Sequence, residues 1–128
     1  MKLKITDLKV MMFKNTPVVR VDTDQGISGL GEAHCPKPHV LALKPFIVGQ
    51  DPTNVERVLL KIRHRGGYKP WGASVSGVEM ALWDIAGKAA GVPVHKLLGG
   101  KIRENVRVYL DCGAGIRVES EDPSSVYR

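Results

Sequence analysis

The chain has 128 residues, of which 43% are hydrophobic and 25% are charged, a composition typical of one ordinary globular domain. No apolar run approaches the roughly 18 residues that cross a bilayer, and the charged N-terminus lacks a signal cleavage site. Two cysteines are too few for a disulfide framework, which favours a cytoplasmic location. The net charge of +6 permits binding to nucleic acid or to anionic metabolites, but the basic residues are scattered, as on a solvated surface.

The first 33 residues predict three β-strands joined by short turns. Apolar residues alternate over residues 2–13, and the alternation changes phase near Asp7, which indicates a long strand with a bulge. A β-branched strand follows over residues 18–23, and a strand with two glycines over residues 27–33. We expect an antiparallel meander, and one face of such a small sheet needs a helical cover.

Two helices are predicted to supply this cover. Asp51 and Pro52 are a start signal, because an N-cap residue there precedes proline at the first helical position. The apolar residues at positions 55, 58, 59 and 62 then fall on one helical face. After a predicted loop over residues 63–74, a second helix is expected over 76–90. It would start with a capping box of Ser76 and Glu79 and end at Gly91.

The second helix contains two acids, Glu79 and Asp84, whose placement raises the question of a catalytic pair. At about 100° per residue the two side chains point roughly 140° apart, so they cannot share one site on a helix. Asp84 has the spacing of an ion pair with Lys88. The glycines at positions 77 and 87 each cost up to ~1 kcal/mol relative to alanine, and we expect another element to pack closely there.

The last part of the chain changes character. Residues 93–98 predict one more helical turn, closed by Gly99 and Gly100. A strand is expected over residues 106–110, and Asp122 with Pro123 repeats the helix start signal. About one turn of chain follows that signal, too little for a stable helix.

Four stretches in this order carry a resemblance: "VRVDTDQGISGLGEA" (19–33), "LKPFIVGQDPTNVERV" (43–58), "SGVEMALWDIAGKAAGVPVHKLLGG" (76–100) and "KIRENVRVY" (101–109). Together they resemble the N-terminal capping domain of the enolase superfamily, in its mandelate racemase and sugar-acid dehydratase group. The resemblance implies an α+β fold in which a three-stranded antiparallel meander is covered by helices.

The same resemblance implies a domain organisation and an activity. Residues 1–104 would be the cap, and 105–128 the first strand and the start of the first helix of a truncated (β/α) barrel, which takes about 250 residues when complete. Family members hold magnesium on barrel acids and remove the proton α to a carboxylate. The expected enzyme is a sugar-acid dehydratase, with a racemase, epimerase or cycloisomerase as alternatives. The 128 residues alone should be inactive, because the metal ligands and catalytic groups would lie elsewhere.

In this family the cap contributes specificity through loops at the barrel mouth. We expect no catalytic or metal-binding residue in this chain, and a small-molecule carboxylate as substrate. Cations, amides and aromatic groups on loops suit such a substrate. The candidate substrate-binding residues are Lys14, Asn15, His34, Lys37, Trp71 and Asp111, with Tyr68 and Lys69 as further possibilities. Homo-oligomers are expected, since such caps also contribute to subunit contacts.

Three other functions are alternatives. His34, Cys35, His39 and Cys112 could suggest zinc, but their spacing matches no regular structural site. The segment over residues 61–72 mixes cations with Tyr68 and Trp71 and could bind nucleic acid. No nucleic-acid-binding motif accompanies that segment, so this function is disfavoured. An assembly or interaction domain is a third alternative.

Overall fold

The computed structural model describes residues 2–66 and 72–108, and it contains a three-stranded antiparallel sheet in the order β1-β2-β3. The strands are β1 (Ile5–Phe13), β2 (Thr16–Thr23) and β3 (Ser28–Glu32). The pairing of β1 with β2 shifts register between Ile5 and Asp7. The predicted meander and the predicted bulge are therefore confirmed.

The helices that cover the sheet are α1 (Lys37–Leu41), α2 (Lys44–Ile47), α3 (Val55–Gly66), α4 (Ala73–Ala90) and α5 (Val94–Leu97). The short connection between β3 and α2 contains the helix α1. Both α1 and α2 have proline in their first turn, where the missing N–H has no helical partner to lose. These short helices place Val40, Leu43 and Ile47 in the core.

The start of α3 differs from its prediction. Asp51 does not cap the helix: its carboxylate accepts hydrogen bonds from the backbone N–H of Thr53 (3.0 Å) and from the Thr53 hydroxyl (2.6 Å). These bonds hold a separate turn, and the helix begins at Val55. The predicted apolar face is buried as expected, with Val55, Val58, Leu59 and Ile62 at most 3% exposed. The predicted loop over 63–74 was too long, since α3 continues to Gly66 and α4 starts at Ala73.

The predicted capping box was also wrong. Helix α4 begins before Ser76, with Gly72 as N-cap and no side-chain cap, because Ser74 and Val75 are already buried against the core. The C-terminal prediction is confirmed: Gly91 ends the helix with a left-handed φ of 67°. The turn after Pro93 is helix α5, and Gly99 and Gly100 both have positive φ, as expected.

Helix α4 lies unusually close to the sheet, and glycine makes this possible. A Cβ atom on Gly31 would lie 2.0 Å from the carbonyl oxygen of Gly77, and one on Gly29 would lie 2.0 Å from that of Ala81. A Cβ on Gly77 would meet the Cβ of Ala33 at 2.9 Å, and one on Gly87 would meet the Val92 carbonyl oxygen at 2.9 Å. The predicted close packing around the α4 glycines is confirmed, and backbone rather than side chains sets the distance.

The core lies between the sheet and the helices. Alternate residues of β1 and β2 point into it, as the period of two for a half-buried strand requires. The buried hydrophobic residues of the strands and of α4 include Ile5, Leu8, Val10, Val19, Val21, Val78, Ala81, Leu82 and Ile85.

After α5 the described chain is exposed and irregular. Residues 106–108 belong to no strand, with Val106 70% and Val108 84% exposed. The described part of the strand predicted over 106–110 is thus not formed, because a strand needs a hydrogen-bonded neighbour and no described strand pairs with it. None of the helices in residues 2–66 and 72–108 combines the length and the apolar character that a membrane span requires.

Candidate functional site

One end of the sheet gathers most of the described candidate residues. Lys14 and Asn15 form the turn between β1 and β2, and β3 ends beside the start of β2. The backbone N–H of Ala33 donates to the carbonyl oxygen of Pro17 at 3.0 Å. His34 follows directly, so antiparallel pairing brings it to the same end as the turn. We call this end of the sheet the turn end.

The backbone at Lys14 is unusual. Its φ of 54° makes it the one non-glycine residue with positive φ in the described part of the chain. The two-residue connection explains this, because hairpin turns that match strand twist need positive φ at a central position. A side chain in the left-handed region costs roughly 1–2 kcal/mol. The fold therefore holds a strained lysine at the tip of the hairpin, projecting from the turn end.

His34 has a partner that the sequence analysis missed. Its Nε2 lies 3.1 Å from Oε1 of Glu32, and the His34 side chain is 82% exposed. Residues two apart in an extended segment project to the same side, so the spacing of Glu32 and His34 was an available signal. The pair presents a hydrogen-bonding imidazole oriented by a carboxylate. Lys37 is exposed at the start of α1, three residues along the chain.

Helix α4 also starts at the turn end. The backbone of Gly77 approaches Glu32 and Ala33, so the first turn of α4 lies near the end of β3. Gly72, the N-cap of α4, lies immediately before that turn. Tyr68, Lys69 and Trp71 precede this point and lie outside the described residues, as does Asp111.

The turn end is suited to binding but has no metal site in its described part. Within residues 2–66 and 72–108, no group of three or more His, Cys, Asp or Glu side chains is placed to hold an ion. Cys112, one of the four residues weighed for zinc, is outside the described residues. Cys35 is free and half-buried, and burial raises the pKa of its thiol. What the turn end offers is an open surface of amine, amide and imidazole donors, which suits a carboxylate or hydroxyl ligand.

The described cavities lie elsewhere. One of about 100 Å³ is at the opposite end of the sheet, beside Lys2, Lys4 and Gln50. Another of about 450 Å³ lies between Thr53, in the turn before α3, and the helices α4 and α5, against Trp83 and Leu97. The turn end is consequently an exposed surface rather than an enclosed pocket.

Ion pairs neutralise the cations on the outer face of the sheet, which is the face away from the helices. Asp22 contacts Lys9 Nζ and Arg20 Nε, each at 2.7 Å, and these cations hold the pKa of the Asp22 carboxyl below its ordinary value. Lys44 lies 2.6 Å from Asp7 and likewise lowers the pKa of that carboxyl. These cations are engaged within the domain, so the outer face is not a free basic patch for phosphates.

The segment weighed for nucleic-acid binding is split by the structure. Residues 61–66 are the last turns of α3, and 67–71 lie outside the described residues. The described part thus belongs to a helix that packs in the core through Ile62.

Comparison with known proteins agrees with the observed fold. Residues 6–99 match the model of the mandelate racemase / muconate lactonizing enzyme N-terminal domain. The chain is 38% identical to a D-galactonate dehydratase family member of Musicola paradisiaca, over 94% of this chain and 33% of that protein. It is 40% identical to a D-xylonate dehydratase of Haloferax volcanii, over 84% of this chain and 29% of that protein.

Solved structures agree with these matches. A crystal structure of an enolase from Agrobacterium radiobacter, with sodium and L-malate bound, has a TM-score of 0.74 and 35% identity, covering 83% of this chain and 30% of its own. An enolase-superfamily member from Salmonella Typhimurium has a TM-score of 0.72 and 37% identity, over 80% of this chain and 31% of its own. The chain spans about a third of the length of the curated relatives it matches.

Proposed function

Because the chain belongs to the mandelate racemase / muconate lactonizing enzyme N-terminal domain family of the enolase superfamily, we propose that it is the capping part of a sugar-acid dehydratase. The observation that carries this proposal is the 38% and 40% identity to relatives named as dehydratases of D-galactonate and D-xylonate. A racemase, epimerase or cycloisomerase of the same superfamily is the alternative.

In the proposed domain organisation, residues 1–104 form the cap and residues 105–128 begin a barrel. Dehydration of a sugar acid removes the proton α to the carboxylate and expels the β-hydroxyl as water, so the product is a 2-oxo-3-deoxy acid. The groups that perform these steps would belong to the barrel. Magnesium is part of the proposal through the family resemblance, and the described residues do not fit it as ligands. A cytoplasmic location is also proposed, from the cysteine content.

The cap's role in this proposal is to bind and select the substrate with the turn end. Asn15 and Lys14 at the hairpin tip, and His34 with its Glu32 partner, would contact the carboxylate or the hydroxyls of the sugar chain. Lys37 would add a cation beside them. Trp71 and Asp111 stay in the proposal on sequence grounds. The described groups of the turn end would orient and discriminate, because His34 and Glu32 form an exposed pair rather than an acid–base pair across a cleft.

A chimera provides the test, in which this chain replaces the corresponding third of the D-galactonate dehydratase family member of Musicola paradisiaca. With magnesium present, we expect the chimera to form a 2-oxo-3-deoxy acid from at least one sugar acid, and the 128-residue chain alone to form none. A folded chimera that exchanges the α proton without losing water would overturn the dehydratase proposal in favour of a racemase or epimerase.

The cap's role is tested in the same chimera by His34→Ala, with His95→Ala as matched control. Both histidines are exposed, but His95 lies in α5, at the C-terminal end of α4 and away from the turn end. We expect His34→Ala to raise KM or change the order of preferred substrates, and His95→Ala to leave both unchanged. Equal kinetics for the two variants would overturn the substrate-binding role of His34.

Homo-oligomerisation is a further part of the proposal. It is supported by the apolar side chains that the described surface leaves exposed on the strands, including Met11, Phe13 and Leu30. Sedimentation of the purified chain over a concentration series tests it, and a monomer throughout would contradict it.

A further inference from the structure

The sheet has two edges, and the structure closes one of them. At the β3 edge, the backbone N–H of Leu30 donates to the Asp84 carboxylate at 3.0 Å, and Lys88 Nζ donates to the carbonyl oxygen of Ser28 at 2.8 Å. Asp84 and Lys88 also pair with each other at 2.7 Å, as predicted from their spacing. The Asp84–Lys88 pair thus occupies the outward N–H of Leu30 and the outward carbonyl of Ser28, and these two groups are not available to another strand.

At the β1 edge, the pairing register identifies which backbone groups point outward. Pro17 directs its carbonyl oxygen toward Ala33 and away from β1. Met12 is the partner of Pro17 on β1, so the backbone N–H and carbonyl of Met12 must point away from β2. Because these directions alternate along a strand, the backbone N–H and carbonyl groups of Val10 and Leu8 also point away from β2. The open edge of β1 is thus the backbone of these three residues.

The first part of this edge is already occupied. The Ile5 N–H donates to the Gln50 carbonyl oxygen at 2.9 Å, and the Ile5 carbonyl accepts from the Gly49 N–H at 2.8 Å. The Leu8 N–H donates to the Asp7 carboxylate at 2.8 Å. Among the described residues, no such bond is made by the outward N–H groups of Val10 and Met12.

We propose that β1 forms an antiparallel pair with β1 of a second copy of this chain, centred on Met11. This register pairs Val10 with Met12 of the second copy, and Met12 with Val10 of the second copy, so that each pair exchanges both backbone hydrogen bonds. Shifting the centre to Val10 would require the Leu8 N–H, which Asp7 occupies. Shifting it to Met12 would require the turn residue Lys14, whose left-handed φ does not continue a strand.

The side chains agree with this register. Met11 would lie opposite Met11 of the second copy. Phe13 would lie opposite the long aliphatic stem of Lys9 of the second copy, and the charge of that Lys9 would remain paired with Asp22 of the same copy. No like charges lie opposite each other in this register, and like charges directly opposite would destabilise the pair. Met11, Met12 and Phe13 are 48%, 52% and 70% exposed in one chain, so pairing would remove apolar surface from water. This inference names a surface for the homo-oligomer proposed above and rests on that part of the proposal.

Disulfide trapping tests the register, in a background in which Cys35 and Cys112 are alanine. Residues centred in a non-hydrogen-bonded antiparallel pair have Cα atoms about 4.5 Å apart, within the range that a disulfide spans. We expect Met11→Cys to give a cross-linked dimer under mild oxidation. Leu30→Cys is the matched control: Leu30 is 50% exposed against 48% for Met11, but it lies on the closed edge. No dimer from Met11→Cys, or equal dimer from both variants, would overturn the proposal.

Met12→Pro tests the hydrogen bonds. Proline removes an N–H that β1 does not use within one chain, and proline is tolerated on edge strands for this reason. We expect Met12→Pro to sediment as a monomer with an unchanged circular dichroism spectrum, while Met12→Val still self-associates. Should Met12→Pro fail to fold, the two cysteine variants decide. A dimer by sedimentation without a Met11→Cys cross-link would leave the oligomer standing and refute this edge.

Discussion

Replacing Gly31 by alanine tests one of the two closest approaches between α4 and β3. The new Cβ would lie 2.0 Å from the Gly77 carbonyl oxygen and 3.1 Å from the Ala81 nitrogen. Real Cβ atoms essentially never approach another atom within 3.0 Å, so helix and strand must separate by about 1 Å. Both sides of the contact are backbone, and no flexible side chain can move out of the way.

The cost follows from what α4 contributes to the core. A gap of about 0.5–1 Å forfeits roughly a quarter to a half of each dispersion contact. Val78, Leu82 and Ile85 of α4 are fully buried and would lose such contacts together. Overpacking of a core typically costs about 1–3 kcal/mol, and a rigid site belongs at the upper end. Alanine recovers about 0.4–1 kcal/mol by restricting the unfolded chain, which leaves a net loss of about 2–2.6 kcal/mol.

Urea unfolding followed by circular dichroism measures this change in the free energy of unfolding. Ser28→Ala is the control, because it alters the same strand at a position that faces away from the helix, and we expect a change within about 0.5 kcal/mol. If Gly31→Ala were as stable as Ser28→Ala, with an unchanged dependence on urea, the close approach of α4 to β3 would be refuted.

Three further predictions address the turn, the outer face and the closed edge. Lys14→Asn should raise the free energy of unfolding by about 0.5 kcal/mol, because asparagine tolerates positive φ. Lys14→Val should lower the free energy of unfolding. A higher melting temperature for Lys14→Val than for Lys14→Asn would contradict this account. The pKa of Asp22 is lowered in the folded state, so its contribution is present above the ordinary value of 3.8 and is lost as pH falls through the folded value. Wild type should therefore exceed Asp22→Asn in melting temperature at neutral pH, and the difference should shrink below pH 3.8; a constant difference would count against the ion pairs. Asp84→Ala should free the Leu30 N–H and open the second edge, so Leu30→Cys should cross-link more readily in that background than in wild type.

Much of the fold could be predicted because its signals are local. The bulge near Asp7 appeared as a change of phase in an alternating pattern, and the end of α4 as a glycine two residues before a proline. The Asp84–Lys88 pair needed only one turn of helix. Each of these features depends on neighbours within a few residues, which the sequence displays directly.

The errors arose where packing outweighed local preference. The capping box at Ser76 has suitable residues, but the helix starts earlier because burial of Val75 favours it. Asp51 has the chemistry of an N-cap but holds a turn before α3. The sequence offered Asn15 and His34 as separate candidates, but their placement at the same end of the sheet depends on strand pairing, and the Glu32 partner of His34 was missed.

The sequence by itself determined the family, the strand and helix types, and the presence of polar groups on the loops of a capping domain. Tertiary structure decided which glycines touch α4, which edge of the sheet is closed and which is open. The physical reason is distance along the chain: the bonds that close β3 join residues 54 and 60 positions apart. No local pattern specifies such bonds, and they form only when the packing of α4 has brought Asp84 and Lys88 to the edge of β3.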